Sequence, residues 1–298
     1  MNCENKTQWG SFPLLRSALD LEQYFNKRTQ GHTCFYHYSN LCNINNIIGE
    51  HTFYISSVKR LNDANEKKVF EGDENRYYSL CFSTGQNENL SLWYLYSGIE
   101  GKGGRLSLTY KKLSKLIERS EYTLWVCDEQ GKAIKEIRKL SRDEDILVTF
   151  RDILYARKSN MSPYYDLKYN TMTNHNNITE DEMVKYQEKY KGFVKGLIWY
   201  HEKESRILVR LQDHIFDSLD TDKTYLIKMC FPETLLKEFK LQFAPEITSV
   251  DEIIDNYLKI KKFLFDTSRI FLSEYSGDIN MKLYDKEKIC KHCQYKKG

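Results

Sequence analysis

Short runs rich in aromatic and β-branched residues recur along the whole chain, and stretches of helical spacing or turn residues separate them. Residues 35–38, 52–56, 78–83, 105–110, 122–127, 146–156, 225–231 and 269–272 carry this strand signal. A further strand ends the run from Lys195 to Val209. Between them, Leu14, Leu15, Ala18, Leu21 and Tyr24 predict a helix over 11–30. Ser39-Asn40 predicts the cap of a second helix, which runs through Ile44, Ile47 and Ile48 and stops at Gly49. Shorter helices are predicted around Trp93 and Tyr96, over 111–119, over 181–193, after Pro232, and over 250–265. Neither a repeat nor a linker interrupts the pattern. The expectation is a helical extension over 1–30, one α+β domain over 31–276, and a polar tail over 277–298.

At 41% hydrophobic, the chain can build a substantial core, and its net charge of +3 announces no particular partner. No apolar run approaches the length of a membrane span, and the first ten residues lack the features of a secretion signal. The protein therefore reads as cytoplasmic, with no membrane partner. Six of the eight cysteines are scattered singly, which suits reduced thiols. Cys290-Lys-His-Cys293 has the spacing of half a zinc site, without a second paired half, so no metal is assigned. The glycines between 98 and 104 match neither a phosphate-binding loop nor a dinucleotide fingerprint.

Chemistry concentrates in the run from Lys195 to Val209. Read as a strand, it puts Glu202, Glu204 and Arg206 on one face and Trp199, Ile207 and Val209 on the other. Arg206 can answer one carboxylate and leave the other for a task. His37 and Ser39 share a strand face, suited to holding a ribose or a phosphate, though a strand histidine also serves as an ordinary core residue. Trp93 and Tyr96 share a helical face, either as core or as a stacking surface. Asn62, Asp63 and Glu66 suit a turn and helix cap, or a contact to a substrate hydroxyl.

Taken in order, Tyr36-His-Tyr-Ser39, Leu61-Asn-Asp63 with Glu66, Leu80-Cys-Phe-Ser83, Trp93 with Tyr96, and Lys195 through Trp199, Glu202 and Glu204 to Arg206 resemble a bacterial family, domain of unknown function twenty-nine seventy-one. Phe243-Ala-Pro-Glu-Ile247 and the helix to Leu264 extend the resemblance, which covers about residues 34–275. Ser205 departs from it, because the family usually carries an aromatic residue there. The same order of histidine, aromatic pair and Glu-x-Glu is similar to that of ADP-ribosyltransferases of the toxin type, which hold NAD in the cleft of a split mixed β-sheet with flanking helices.

That likeness implies NAD as the substrate and Glu204 as the carboxylate that stabilises the positive charge developing on the ribose. It implies Glu202 as the group orienting the acceptor, His37 and Ser39 on the adenosine ribose, Trp93 or Tyr96 against nicotinamide, and Arg206 balancing the carboxylates or meeting a phosphate. It also implies a nucleic-acid acceptor (RNA or DNA), a toxin-like role in phage defence, and an inhibitory antitoxin-like partner. Two other functions fit the same residues. One is a nucleotide-binding sensor without catalysis. The other is a nuclease holding magnesium on Asp63, Glu66, Glu202 and Glu204.

Overall fold

The computed structural model describes residues 18–61, 63–85, 87–97, 102–156, 190–250, 253, 256–257, 259–260, 262–263 and 270–276. They form an α+β fold built on a large mixed sheet with flanking helices. In chain order the elements are α1 (Ala18–Gly31), β1 (Phe35–Asn40), α2 (Leu41–Glu50), β2 (Thr52–Ser57), α3 (Ala64–Lys68), β3 (Tyr77–Ser83), α4 (Leu90–Tyr96), β4 (Gly103–Leu108), α5 (Tyr110–Arg119) and β5 (Glu121–Cys127). There follow β6 (Ala133–Leu140), β7 (Ile146–Asp152), β8 (Leu154–Ala156), β9 (Val194–Gly196), β10 (Glu204–Leu211), α6 (Asp213–Phe216), β11 (Tyr225–Cys230), β12 (Lys240–Phe243) and β13 (Ile270–Phe271). Short 3-10 turns occupy Val58–Arg60, Leu197–Glu202 and Glu233–Glu238. No helix among the described residues is long and apolar enough to cross a membrane. Residues 157–180, whose composition suggests a long loop, and the Cys290/Cys293 pair lie outside the described residues, as do most of the helices expected over 181–193 and 250–265.

The chain divides into two compact units, one of residues 1–35, 53–84 and 109–231, the other of 36–52, 85–108 and 232–298. In the first, the strand order is β7-β10-β3-β2-β11-β5-β6. β10 sits between β3 and β7, antiparallel to both. Seven of its eight residues are buried, which is what a central strand covered on both faces demands. Its register sets Arg206 opposite Cys81 on one side and Arg151 on the other. A parallel pair, β8 and β9, stands apart from that order. Val58, Phe70, Tyr77, Ile153, Tyr155, Phe193 and Leu208 make one apolar cluster of this unit. Helix α1 is tied down at Asp152, whose backbone N–H donates to Thr29 and whose carboxylate meets Arg28 and His32.

One expectation is corrected here. Glu202 does not lie on the strand with Glu204 and Arg206, because β10 begins at Glu204. Glu202 closes the 3-10 turn, Trp199 sits within it, and Lys203 follows in the left-handed region at φ 44°. The Lys203 N–H donates to Tyr200 O, and its carbonyl accepts from the Thr84 backbone N–H and hydroxyl. Those bonds hold a conformation that a non-glycine residue rarely adopts.

In the second unit β4 lies between β1 and β12, and β13 pairs with β12 in parallel. Asn40 caps α2 by accepting from the Asn43 N–H, as its sequence position suggests. The helix runs on through Gly49, however, and closes on His51 in the left-handed conformation. Leu41, Ile44, Ile47 and Ile48 form its buried face.

Candidate functional site

In the first unit, three carboxylates and two cations form one continuous chain. Arg206 is fully buried. Its Nε and Nη2 donate to Glu204 Oε1 at 3.0 and 2.7 Å, and its Nη1 donates to Gly192 O at 2.8 Å and to Glu66 Oε1. Lys195 Nζ then bridges Glu204 Oε2 at 3.1 Å and Glu202 Oε2 at 2.6 Å. It also lies 4.7 Å from the Trp199 ring centre, on that ring's face. The Glu204 N–H is held by the Tyr155 hydroxyl at 2.7 Å.

Local structure explains the convergence. The left-handed Lys203 turns the chain between Glu202 and Glu204, so both side chains reach the lysine delivered by β9. Gly192, at φ +83°, turns the chain into β9, and a Cβ there would meet Phe70 and Leu208 at 3.0 and 3.1 Å. Helix α3 turns Glu66 inward and Lys67 and Lys68 outward.

The electrostatics separate the three acids. Burial opposes charge on Glu204, but Arg206 and Lys195 outweigh it and hold the carboxyl down to about 2. On Glu66 burial wins over Arg206 and raises the pKa, and on Glu202 burial wins over Lys195 with the same result. Lys195 is desolvated, yet Glu204 and Glu202 raise its pKa, so it stays a cation. Burial and the Glu204 charge push the Cys81 thiol up, which rules out a ready thiolate there. Three carboxyl groups therefore face two cations, with Glu204 held ionised and burial favouring a proton on Glu66 and Glu202. Glu66 Oε2 is sealed from solvent and has no hydrogen-bond partner among the described residues. Glu202, itself only 5% exposed, gives one oxygen to Lys195 and follows the exposed His201 in the chain.

The second unit holds Trp93, Tyr96, His37 and Ser39. Trp93 is fully buried, packs edge-on against Tyr38, and donates Nε1 to Glu88 at 2.9 Å. Of the aromatic pair, Tyr96 is the exposed member. His37 and Ser39 are half-buried, and Ser39 accepts from Asn43 Nδ2 at 3.1 Å. Beside Trp93, Arg105 is buried among Tyr36, Tyr38 and Gln242.

Sequence reasoning brings Glu202, Glu204 and Arg206 together but gives no role to Lys195 or Arg105. The available signal for Lys195 is a lone charge within the apolar run from Phe193 to Ile198. Among the described residues no group of three or more His, Cys, Asp and Glu is arranged for a metal. Glu66, Glu202 and Glu204 do converge, but onto Lys195 and Arg206. Comparison of the chain with protein-family models, with curated proteins and with solved structures finds no match.

Proposed function

We propose that this protein transfers ADP-ribose from NAD to a macromolecular acceptor, a nucleic acid, as a toxin-like effector restrained by an inhibitory partner. The observation that carries the proposal is the convergence of three acids, Glu66, Glu204 and Glu202, on two buried cations, Arg206 and Lys195. Cleaving the nicotinamide–ribose bond develops positive charge on the sugar, and a preorganised anion in a water-poor site stabilises it. The motif order that resembles ADP-ribosyltransferases agrees with that chemistry.

The geometry favours Glu202 as the carboxylate that meets the ribose, because among the described residues its hydrogen-bond partner is Lys195 and it lies at the end of the chain of charges. Glu204 is then a positioning residue, kept ionised by Arg206 and Lys195 so that the lysine, and through it Glu202, stays in place. Lys67 and Lys68, exposed on the helix that carries Glu66, supply positive charge for a nucleic-acid acceptor.

A second function has its own observation. Glu204 and Arg206 are almost completely buried and fully paired, as in a rigid scaffold for a nucleotide-binding sensor. The two separate on turnover. Protein incubated in EDTA with labelled NAD and with RNA, DNA or protein should label an acceptor, and Glu202→Gln should lower labelling by about a hundredfold or more while keeping the fold. Binding of NAD without any labelling would favour the sensor. Labelling that requires magnesium would favour metal chemistry.

A further inference from the structure

Among the described residues Arg105 is a buried cation with no carboxylate partner. Only 5% of it is exposed, and among the described residues its hydrogen bonds go to neutral groups. Nε donates to Gln242 Oε1 at 2.7 Å and Nη1 to the Tyr38 hydroxyl at 2.8 Å. The Tyr36 ring lies flat beneath the guanidinium carbon at 4.4 Å, and the Tyr38 and Trp93 rings stand at 5.6 and 5.8 Å. A guanidinium has five N–H donors, so about three remain, two on Nη2 and one on Nη1. Nη2 makes no hydrogen bond among the described residues.

Glu88, which shares Gln242 with the arginine, is engaged elsewhere. Glu88 takes four donors: Trp93 Nε1 at 2.9 Å, Ser273 Oγ at 2.6 Å, and Gln242 Nε2 and the Glu274 N–H at 2.7 Å each. Gln242, the direct cross-strand partner of Arg105, stands between the two charges. Its amide accepts from the arginine and donates to Glu88 and to Leu272 O, which fixes its orientation. A stacked guanidinium with two neighbouring N–H groups left over matches an oxyanion that accepts bidentately, and burial strengthens such a bond. The aromatic floor and the two neutral anchors lock the fork before any ligand arrives.

We infer that Arg105 is the centre of a phosphate-binding site, which takes inorganic pyrophosphate or the phosphates of a nucleotide. This inference stands on the second unit alone and does not depend on NAD turnover. Titration calorimetry of the full chain at low salt, with pyrophosphate, ADP and adenosine, tests it. Pyrophosphate and ADP should bind and adenosine should not. Arg105→Lys keeps the positive charge but loses the fork, and should weaken both by about tenfold. Glu202→Gln should bind pyrophosphate as the wild type does, which separates this site from the transfer chemistry. If Arg105→Lys does not fold, phosphorus NMR of the wild type still decides, since pyrophosphate resonances should shift and broaden on binding. Absence of pyrophosphate binding by the wild type, or unchanged affinity in a folded Arg105→Lys, overturns the inference. ADP binding alone, without pyrophosphate, would also contradict it, because the base and not the phosphate would then be recognised.

Discussion

Glu204 and its two cations contribute to the acid stability of the first unit. Its folded pKa of about 2 lies below the ordinary 4.5, so its contribution is complete above pH 4.5 and is lost as the pH falls toward 2. That contribution is on the order of 3 kcal/mol. Glu66 and Glu202 act in the opposite sense. Their raised pKa values make the folded state bind protons more tightly than the unfolded chain, so their contribution grows as the pH falls and is lost as it rises through the raised values. Thermal melts of Glu204→Gln should therefore fall furthest below the wild type near neutral pH, with the gap closing as the pH drops toward 2. A gap independent of pH would mean that Arg206 and Lys195 do not hold Glu204 ionised. Arg206→Met should be worse still, by about 3–5 kcal/mol in a denaturant titration, because it strands Glu66 and Glu204 as buried anions.

At the scale of elements, Gly192 and Lys203 are the two turns that bring the charges together. Gly192→Ala should cost at least 1–2 kcal/mol, roughly the price of left-handed backbone for an alanine, and should also disturb the carbonyl that Arg206 holds. Denaturant titration would show it, and an unchanged midpoint would remove Gly192 from this account. The same scale explains what could be read from sequence. β2, β3, β5 and β11 were legible, because their aromatic and β-branched residues pack a half- or fully buried surface. β6 was not, because Ala133–Leu140 is exposed along most of its length and has no apolar face to display in its pattern. The period-2 pattern from Glu202 to Arg206 suggested a single strand face. The left-handed Lys203 breaks that strand, and a lysine carries no sequence mark for such a conformation. The acids were therefore legible as a group, while the long-range partners Lys195 and Glu66 follow only from the fold that brings β9 and α3 to β10.

For the whole molecule, a reaction that develops a cation is served by the Glu202 carboxylate at the end of a buried cluster in which three acids face two cations. In cells, expression of the chain alone should arrest growth, and Glu202→Gln should relieve the arrest. Growth unaffected by the wild type at high expression, with and without phage, would remove the toxin role. The claim at the centre is chemical, and release of nicotinamide from NAD by purified protein, followed across pH, tests it most directly. Because the ionised form of Glu202 does the work and burial raises its pKa, release by the wild type should rise with pH through that raised value and then level. Glu202→Gln should release nicotinamide at least about a hundredfold more slowly and without that rise. Wild-type rates in a folded Glu202→Gln protein, or no release by the wild type at any pH, would contradict the account.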